Sequence, residues 1–150
     1  MTTLPTESRP LEAAGRRGSP RRLVSALWLF VILCYLYCDV LGFYYEPHLR
    51  ELLAGQVGSI AVTQGFLLGS AVLMTIPMAM TLVSRVAPHS VARWATVGAA
   101  GFMTIVQAAS LLVGSNTLHY LYFSVIEIAT TGFLAYYAAF RWRGDRSGEG

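Results

Sequence analysis

Four stretches of this chain run for about 20 residues or more with almost no charge: 23–45, 63–84, 94–113 and 118–140. The first holds one charged residue, Asp39, and the last holds one, Glu127; the other two hold none. A bilayer core roughly 30 Å thick is crossed by about 20 apolar residues at about 1.5 Å each, so every stretch has the length of a transmembrane helix. In hydrocarbon each backbone N–H and C=O must find its partner within the segment, which selects helices over isolated strands. The alternating ten-residue segments of a membrane barrel are absent. The fold class expected is all-α: a membrane-embedded four-helix bundle, up-down-up-down, occupying residues 23–140.

Composition agrees. With 55% apolar and 13% charged residues the chain has about half the charge of an ordinary soluble domain. All eleven basic residues are Arg, and their positions carry more information than their number. Segments 1–22, 85–93 and 141–150 hold ten of them, whereas 46–62 and 114–117 hold only Arg50. Positive charge resists translocation, so both termini are expected on the cytoplasmic side of the membrane. An even number of spans requires the same. The first span reads as a retained anchor: it is long and ends in Phe43-Tyr44-Tyr45, with no small-residue cleavage site.

Outside the spans there is little to build with. Residues 1–22 are rich in Pro, Gly and Arg and are expected to form a disordered cytoplasmic tail, and 141–150 a shorter one. Pro47 is expected to close the first span, and Ser90 and the Asn116-Thr117 pair to cap later helices. In the long outer loop, Leu49, Leu52 and Leu53 recur at helical spacing, predicting a short surface helix over 48–54. Trp94 and Trp142 are expected at one membrane face, with Tyr44, Tyr45, Tyr120 and Tyr122 near the other. Gly65-x-x-x-Gly69 and Ala95-x-x-x-Ala99 read as close-packing faces, used within the bundle in preference to between protomers.

Asp39 and Glu127 are the residues most in need of explanation, because an acid within a span costs a few kcal/mol (~2.5–3.5) and seldom faces lipid. Their depths follow from the Arg that ends each helix. Asp39 lies 17 residues from Arg22, Glu127 14 from Arg141 and Gln107 14 from Arg93. At about 1.5 Å per residue these are depths of roughly 21–25 Å, one layer toward the outer leaflet. Tyr120, Ser124, Glu127 and Thr131 share one face of the last span, and Thr96, Ala100, Thr104 and Gln107 one face of the third. Tyr35 stands one turn from Asp39. A polar site of Asp39, Glu127, Gln107, Tyr35 and Ser124 is thus expected, either holding a proton or a small polar solute, or fixing helix register.

Other chemistries find no support. Cys34 and Cys38 are one turn apart on one helix, where a disulfide is strained, and the spacing is not C-x-x-C. The three histidines divide between opposite membrane faces, so no metal site and no cofactor is expected. No phosphate loop, nucleophile elbow or basic-aromatic surface for nucleic acid is present. The residues favour a binding, accessory or structural membrane component over an enzyme. The alternative is a small transporter or proton-linked carrier using the acidic layer. Partners expected are the lipid bilayer and a second copy or another protein.

Several runs resemble a known family: Tyr35-Leu36-Tyr37-Cys38-Asp39-Val40, the stretch from Gly65 to Met74, Ile76-Pro77-Met78-Ala79-Met80, Leu82-Val83-Ser84-Arg85-Val86 and Ile126-Glu127-Ile128. These are similar to domain of unknown function 6326, a bacterial family of small four-span membrane proteins. The resemblance implies one compact membrane domain, implies no activity, and suggests Asp39 and Glu127 as family features. Thr75 departs from the pattern, which places an acid between Met74 and Ile76-Pro77. An acid that helped to build a site there would leave this chain with a weaker one.

Overall fold

The computed structural model describes residues 19–112 and 117–142. Most of both expected tails, together with Asn116 and the end of the third span at 113, lie outside the described residues.

Proline at the start of a helix leaves no extra N–H unpaired, and its fixed φ suits the first turn. Pro20 opens α1 (Pro20–Phe43) in this way, and the Ser19 carbonyl accepts from the amides of Arg22 and Leu23 at 2.9 and 3.2 Å. The helix therefore begins earlier than expected, and Arg21 and Arg22 belong to its first turn rather than to a tail. The Arg21 guanidinium donates to the carbonyls of Arg85 and Ala87 at 3.1 and 2.8 Å, satisfying acceptors that the end of α3 (Gln64–Val86) leaves open.

At its other end α1 stops at Phe43, and Tyr44 and Tyr45 donate to the carbonyls of Leu41 and Gly42 at 3.1 and 3.2 Å. Pro47 does not close this helix; it sits in the first turn of α2 (Glu46–Leu53), where a missing N–H costs nothing. The short helix expected over 48–54 is thus present, two residues earlier. Strands β1 (Gln56–Val57) and β2 (Ile60–Ala61) then pair antiparallel, with Gly55 and Gly58 at φ 74° and 56°, conformations that glycine adopts without a Cβ clash. The Thr63 side chain accepts from the Phe66 amide at 3.1 Å and starts α3.

α4 (His89–Ser110) begins well before the expected position 94, with Pro88 at its cap; Ser90 lies inside the first turn and does not cap. An Arg near a span end need not mark the helix boundary when its long side chain reaches other acceptors. Arg93 Nε and Nη2 donate to the carbonyls of Ala138 and Ala139 at 2.8 and 2.6 Å. Those carbonyls belong to a π-helical turn, Tyr137–Arg141, that follows α5 (Leu118–Tyr136). The Trp142 amide bonds to the Tyr137 carbonyl five residues back, at 2.8 Å. The wider turn shifts the phase of the side chains beyond it. Trp142, expected at a headgroup belt, is instead buried edge-on against His89, ring centroids 5.3 Å apart. Trp94 is exposed, with the Arg93 guanidinium 5.2 Å from its ring.

We expect Arg93→Leu to lower stability by about 2–3 kcal/mol, since hydrogen bonds from a charged donor are the stronger kind. Thermal unfolding in mild detergent, with hydrogen exchange of the last turn, checks this; unchanged protection at Trp142 would contradict it.

The four long helices form a ring in which α1 and α4 each pack against both α3 and α5. Their core comprises Val24, Trp28, Val31, Met80, Ala92, Ala100, Met103 and Leu134. Ser25, Ser84, Thr96 and Thr131 are also 0% exposed, whereas Leu68, Val72, Leu82, Ile105 and Val125 are between 61% and 69% exposed. Large apolar side chains outside and small polar ones within is the reverse of a water-soluble bundle. α1, α3 and the run Leu118–Arg141 are each long and apolar enough to cross a membrane. α4 is not among them, since His89, Arg93 and Gln107 lower its mean hydropathy.

The two small-residue motifs separate. Ala95 and Ala99 pack against the core, as expected. Gly65 and Gly69 do not: both are exposed, and a Cβ built on Gly69 would meet nothing within 4 Å. The spacing defines a smooth face but not which neighbour uses it.

Candidate functional site

The polar stripes of α4 and α5 meet as rungs along one antiparallel interface. Thr104 donates to Thr131 Oγ1 at 2.8 Å, Gln107 Nε2 to Ser124 Oγ at 2.9 Å, and the Tyr120 hydroxyl to Ser110 Oγ at 2.6 Å. Each rung satisfies polar groups that would be costly to bury alone, and in hydrocarbon such bonds average about 0.6 kcal/mol.

Glu127 lies between two of these rungs and joins neither. Its side chain is 1% exposed, and Oε1 is buried with no hydrogen-bond partner among the described residues. The Tyr35 hydroxyl on α1 is likewise buried and unpartnered. Both residues line a cavity of about 140 Å³ between α1, α3, α4 and α5, whose wall also includes Cys38, Asp39, Met74, Gln107 and Tyr120. Cavities of about 150 Å³ hold a benzene-sized molecule when apolar; this one presents hydrogen-bonding groups on three sides.

Of the residues the sequence singled out, Tyr35, Asp39, Gln107 and Glu127 come together around this cavity. Ser124 is buried beside it, holding the Gln107 amide. Asp39 differs from the others in being exposed. The buried face of α1 runs Trp28, Val31, Tyr35, Cys38 and Gly42, and Asp39 stands one position off it, at the cavity's edge. It is also one turn from the end of α1. Both acids thus line the cavity, Glu127 buried within the bundle and Asp39 at its exposed edge.

Cys38, Met74 and Tyr120 were not singled out as site residues. Their signal was the phase of their helices: Cys38 is in step with Tyr35, and Tyr120 with Ser124. Met74 had none, because a Met in an apolar span is indistinguishable from gap-filling packing. Thr75 lies on the exposed side of α3 and donates to the Ala71 carbonyl at 2.8 Å, so the departure at that position leaves the cavity wall unchanged.

Beyond the end of α1, His48 of α2 packs on Gly42, where a Cβ would lie 3.3 Å from its ring, and it is near enough to Asp39 to interact electrostatically. Among the described residues no cation faces Glu127. The one ion pair among the described residues, Arg50 with Glu46 at 2.5 Å, is on the surface of α2. Among the described residues no group of three or more His, Cys, Asp or Glu is placed to hold a metal ion. The arrangement offers a buried carboxyl and a phenol to a small guest, with a second carboxyl at the edge of the cavity.

Residues 12–148 match a family described as a family of unknown function (DUF6326), and the chain belongs to it. Comparison with curated proteins and with solved structures gives no match.

Proposed function

We propose that this family member is a four-span protein of the bacterial cytoplasmic membrane, both ends inside, that holds a small polar solute in the outer half of its bundle. It acts as a binding or carrier protein rather than an enzyme. The observation that carries the reading is the buried, unpartnered Glu127 Oε1 beside the equally unpartnered Tyr35 hydroxyl, both in the wall of one cavity. An unpaired carboxylate in such a place is costly, so the side chain holds either a proton or a guest.

The four-span arrangement has separate support. α4 has 22 residues, about 33 Å at 1.5 Å each, and packs between two helices long enough to span. Its outward residues Val91, Trp94, Phe102 and Ile105 are apolar. If α3 and α5 cross the bilayer, α4 crosses with them. The Arg bias then places the turn joining α3 to α4 inside and α2 outside.

Solute binding is read as a rise in unfolding temperature of the purified protein in mild detergent, against small alcohols, amines and carboxylates. A guest at 100 times its Kd stabilises by about 2.7 kcal/mol. We expect one class to stabilise the wild type and not Glu127→Gln. A panel that never does so would contradict the reading.

A second reading, docking of another helix, is favoured by the open Gly65–Gly69 face of α3. Here the partner is a second copy or another membrane protein, and the bundle serves as its accessory subunit.

A further inference from the structure

The cavity has hydrogen-bond acceptors in excess of donors, and its charge is of one sign. Glu127 and Asp39 supply two carboxyls, while Gln107 has already committed an amide hydrogen to Ser124 and Tyr120 its hydroxyl to Ser110. The titratable groups around it are Tyr35, Cys38 and Asp39 of α1 and Tyr120 and Glu127 of α5, with His48 of α2 outside by Asp39; α3 and α4 contribute only the neutral Met74 and Gln107. No described residue brings positive charge to Glu127. A guest that pairs with it must bring its own.

The remaining wall decides the kind of cation. A bare metal ion needs several oxygen or nitrogen ligands converging at one point, and no such cluster is present among the described residues. Met74 and the rings of Tyr35 and Tyr120 instead offer polarizable and aromatic surface, which suits the alkyl part of an organic ammonium and attracts its charge. The volume, about 140 Å³, admits a guest of roughly six non-hydrogen atoms.

We propose that the cavity binds a small organic monocation, a protonated amine, with its ammonium on the Glu127 carboxylate and its hydrocarbon against Met74 and the tyrosines. This rests on the solute-binding reading above and names the class of solute. Asp39, exposed at the edge, is the first carboxyl that an arriving cation meets. As the cation settles on Glu127, any proton held there leaves to solvent, so the charge of the buried layer is the same before and after.

The test compares three probes of one size on the full-length protein in detergent, by calorimetry and thermal unfolding: cyclopentylammonium, cyclopentanol and butyrate. Cyclopentylammonium is expected to bind on the order of 100-fold more tightly than cyclopentanol, and butyrate not at all. Glu127→Gln should reduce the ammonium to the level of the alcohol. Asp39→Asn, a change on an exposed side chain, should weaken it on the order of 10-fold with the folded protein unaltered, so the proposal stays testable if the Glu127 variant folds poorly. Equal binding of ammonium and alcohol, both dependent on Glu127, would overturn the cation assignment and leave the solute-binding reading standing. Preference for butyrate would overturn the assignment too. Failure of all three to bind would overturn both.

Discussion

Replacing Glu127 with Met is expected to make the solute-free protein more stable and, in the same variant, to abolish stabilisation by any guest. The two effects have one cause. Oε1 is buried without a partner, so the native side chain carries a desolvation cost that nothing within the described structure offsets. Leaving a polar group in that state costs about 1–3 kcal/mol, and a Met of similar volume removes it while filling the same space. A group kept for folding behaves in the opposite way. If Glu127 fixed helix register, its loss would lower the unfolding temperature, as loss of the Thr104–Thr131 rung should. A gain in stability coupled to a loss of binding marks a residue retained for function. Thermal unfolding of the two proteins, with and without cyclopentylammonium, checks both halves, and a destabilised variant would contradict the functional assignment.

Trp28 gives the largest expected loss. It is 0% exposed and is the largest fully buried side chain, packed in one cluster with Val24, Val31, Met80 and Ala92. Trp28→Ala leaves a void that the rigid helix ring cannot close, at a cost of about 3–5 kcal/mol. Trp28→Phe should be much milder, about 1.5 kcal/mol or less, because the indole Nε1–H is itself buried without a partner among the described residues, and losing its desolvation cost offsets part of the lost packing. Denaturant unfolding in detergent measures the pair. Equal losses would mean that the indole N–H makes a bond the structure does not contain.

How much of this was legible in the chain can be traced residue by residue. The long helices follow from length and apolarity alone, since in hydrocarbon the backbone has few alternatives. The inward faces of α4 and α5 follow from helical phase: Thr104, Gln107, Ser124 and Thr131 are polar at the spacing that puts them on one side, and they are found bonded across the interface. Helix ends are less legible, because an Arg beside an apolar run need not lie outside the helix. Arg93 and Arg21 lie within helices and bond to carbonyls of other elements, which only tertiary proximity can reveal. Trp142 follows the last span in sequence, but only the structure shows the π turn and the ring buried against His89. At Asp39 the phase brings the carboxyl to the cavity wall with Tyr35, and one position, about 100° around a helix, sets it apart from the buried face of α1. The unpartnered state of Glu127 was not legible at all. Sequence can place a carboxyl in a span, but only the structure shows that Ser124, Tyr120 and Thr131 are engaged elsewhere and that Glu127 Oε1 and the Tyr35 hydroxyl have no partner among the described residues.

Where the two ends of the chain lie is the most direct test of the account, because α4 alone decides it. Four spans return the C-terminus to the side it started from, whereas three would leave the ends on opposite sides. Paired fluorescent and phosphatase reporters fused after residue 150, and phosphatase inserted after Ser59, measure this in intact cells. The account predicts fluorescence without phosphatase activity at the C-terminus and phosphatase activity at Ser59. Phosphatase activity at both the C-terminus and Ser59 would show that α4 does not cross, activity at the C-terminus alone would show the bundle inverted, and either would contradict the account.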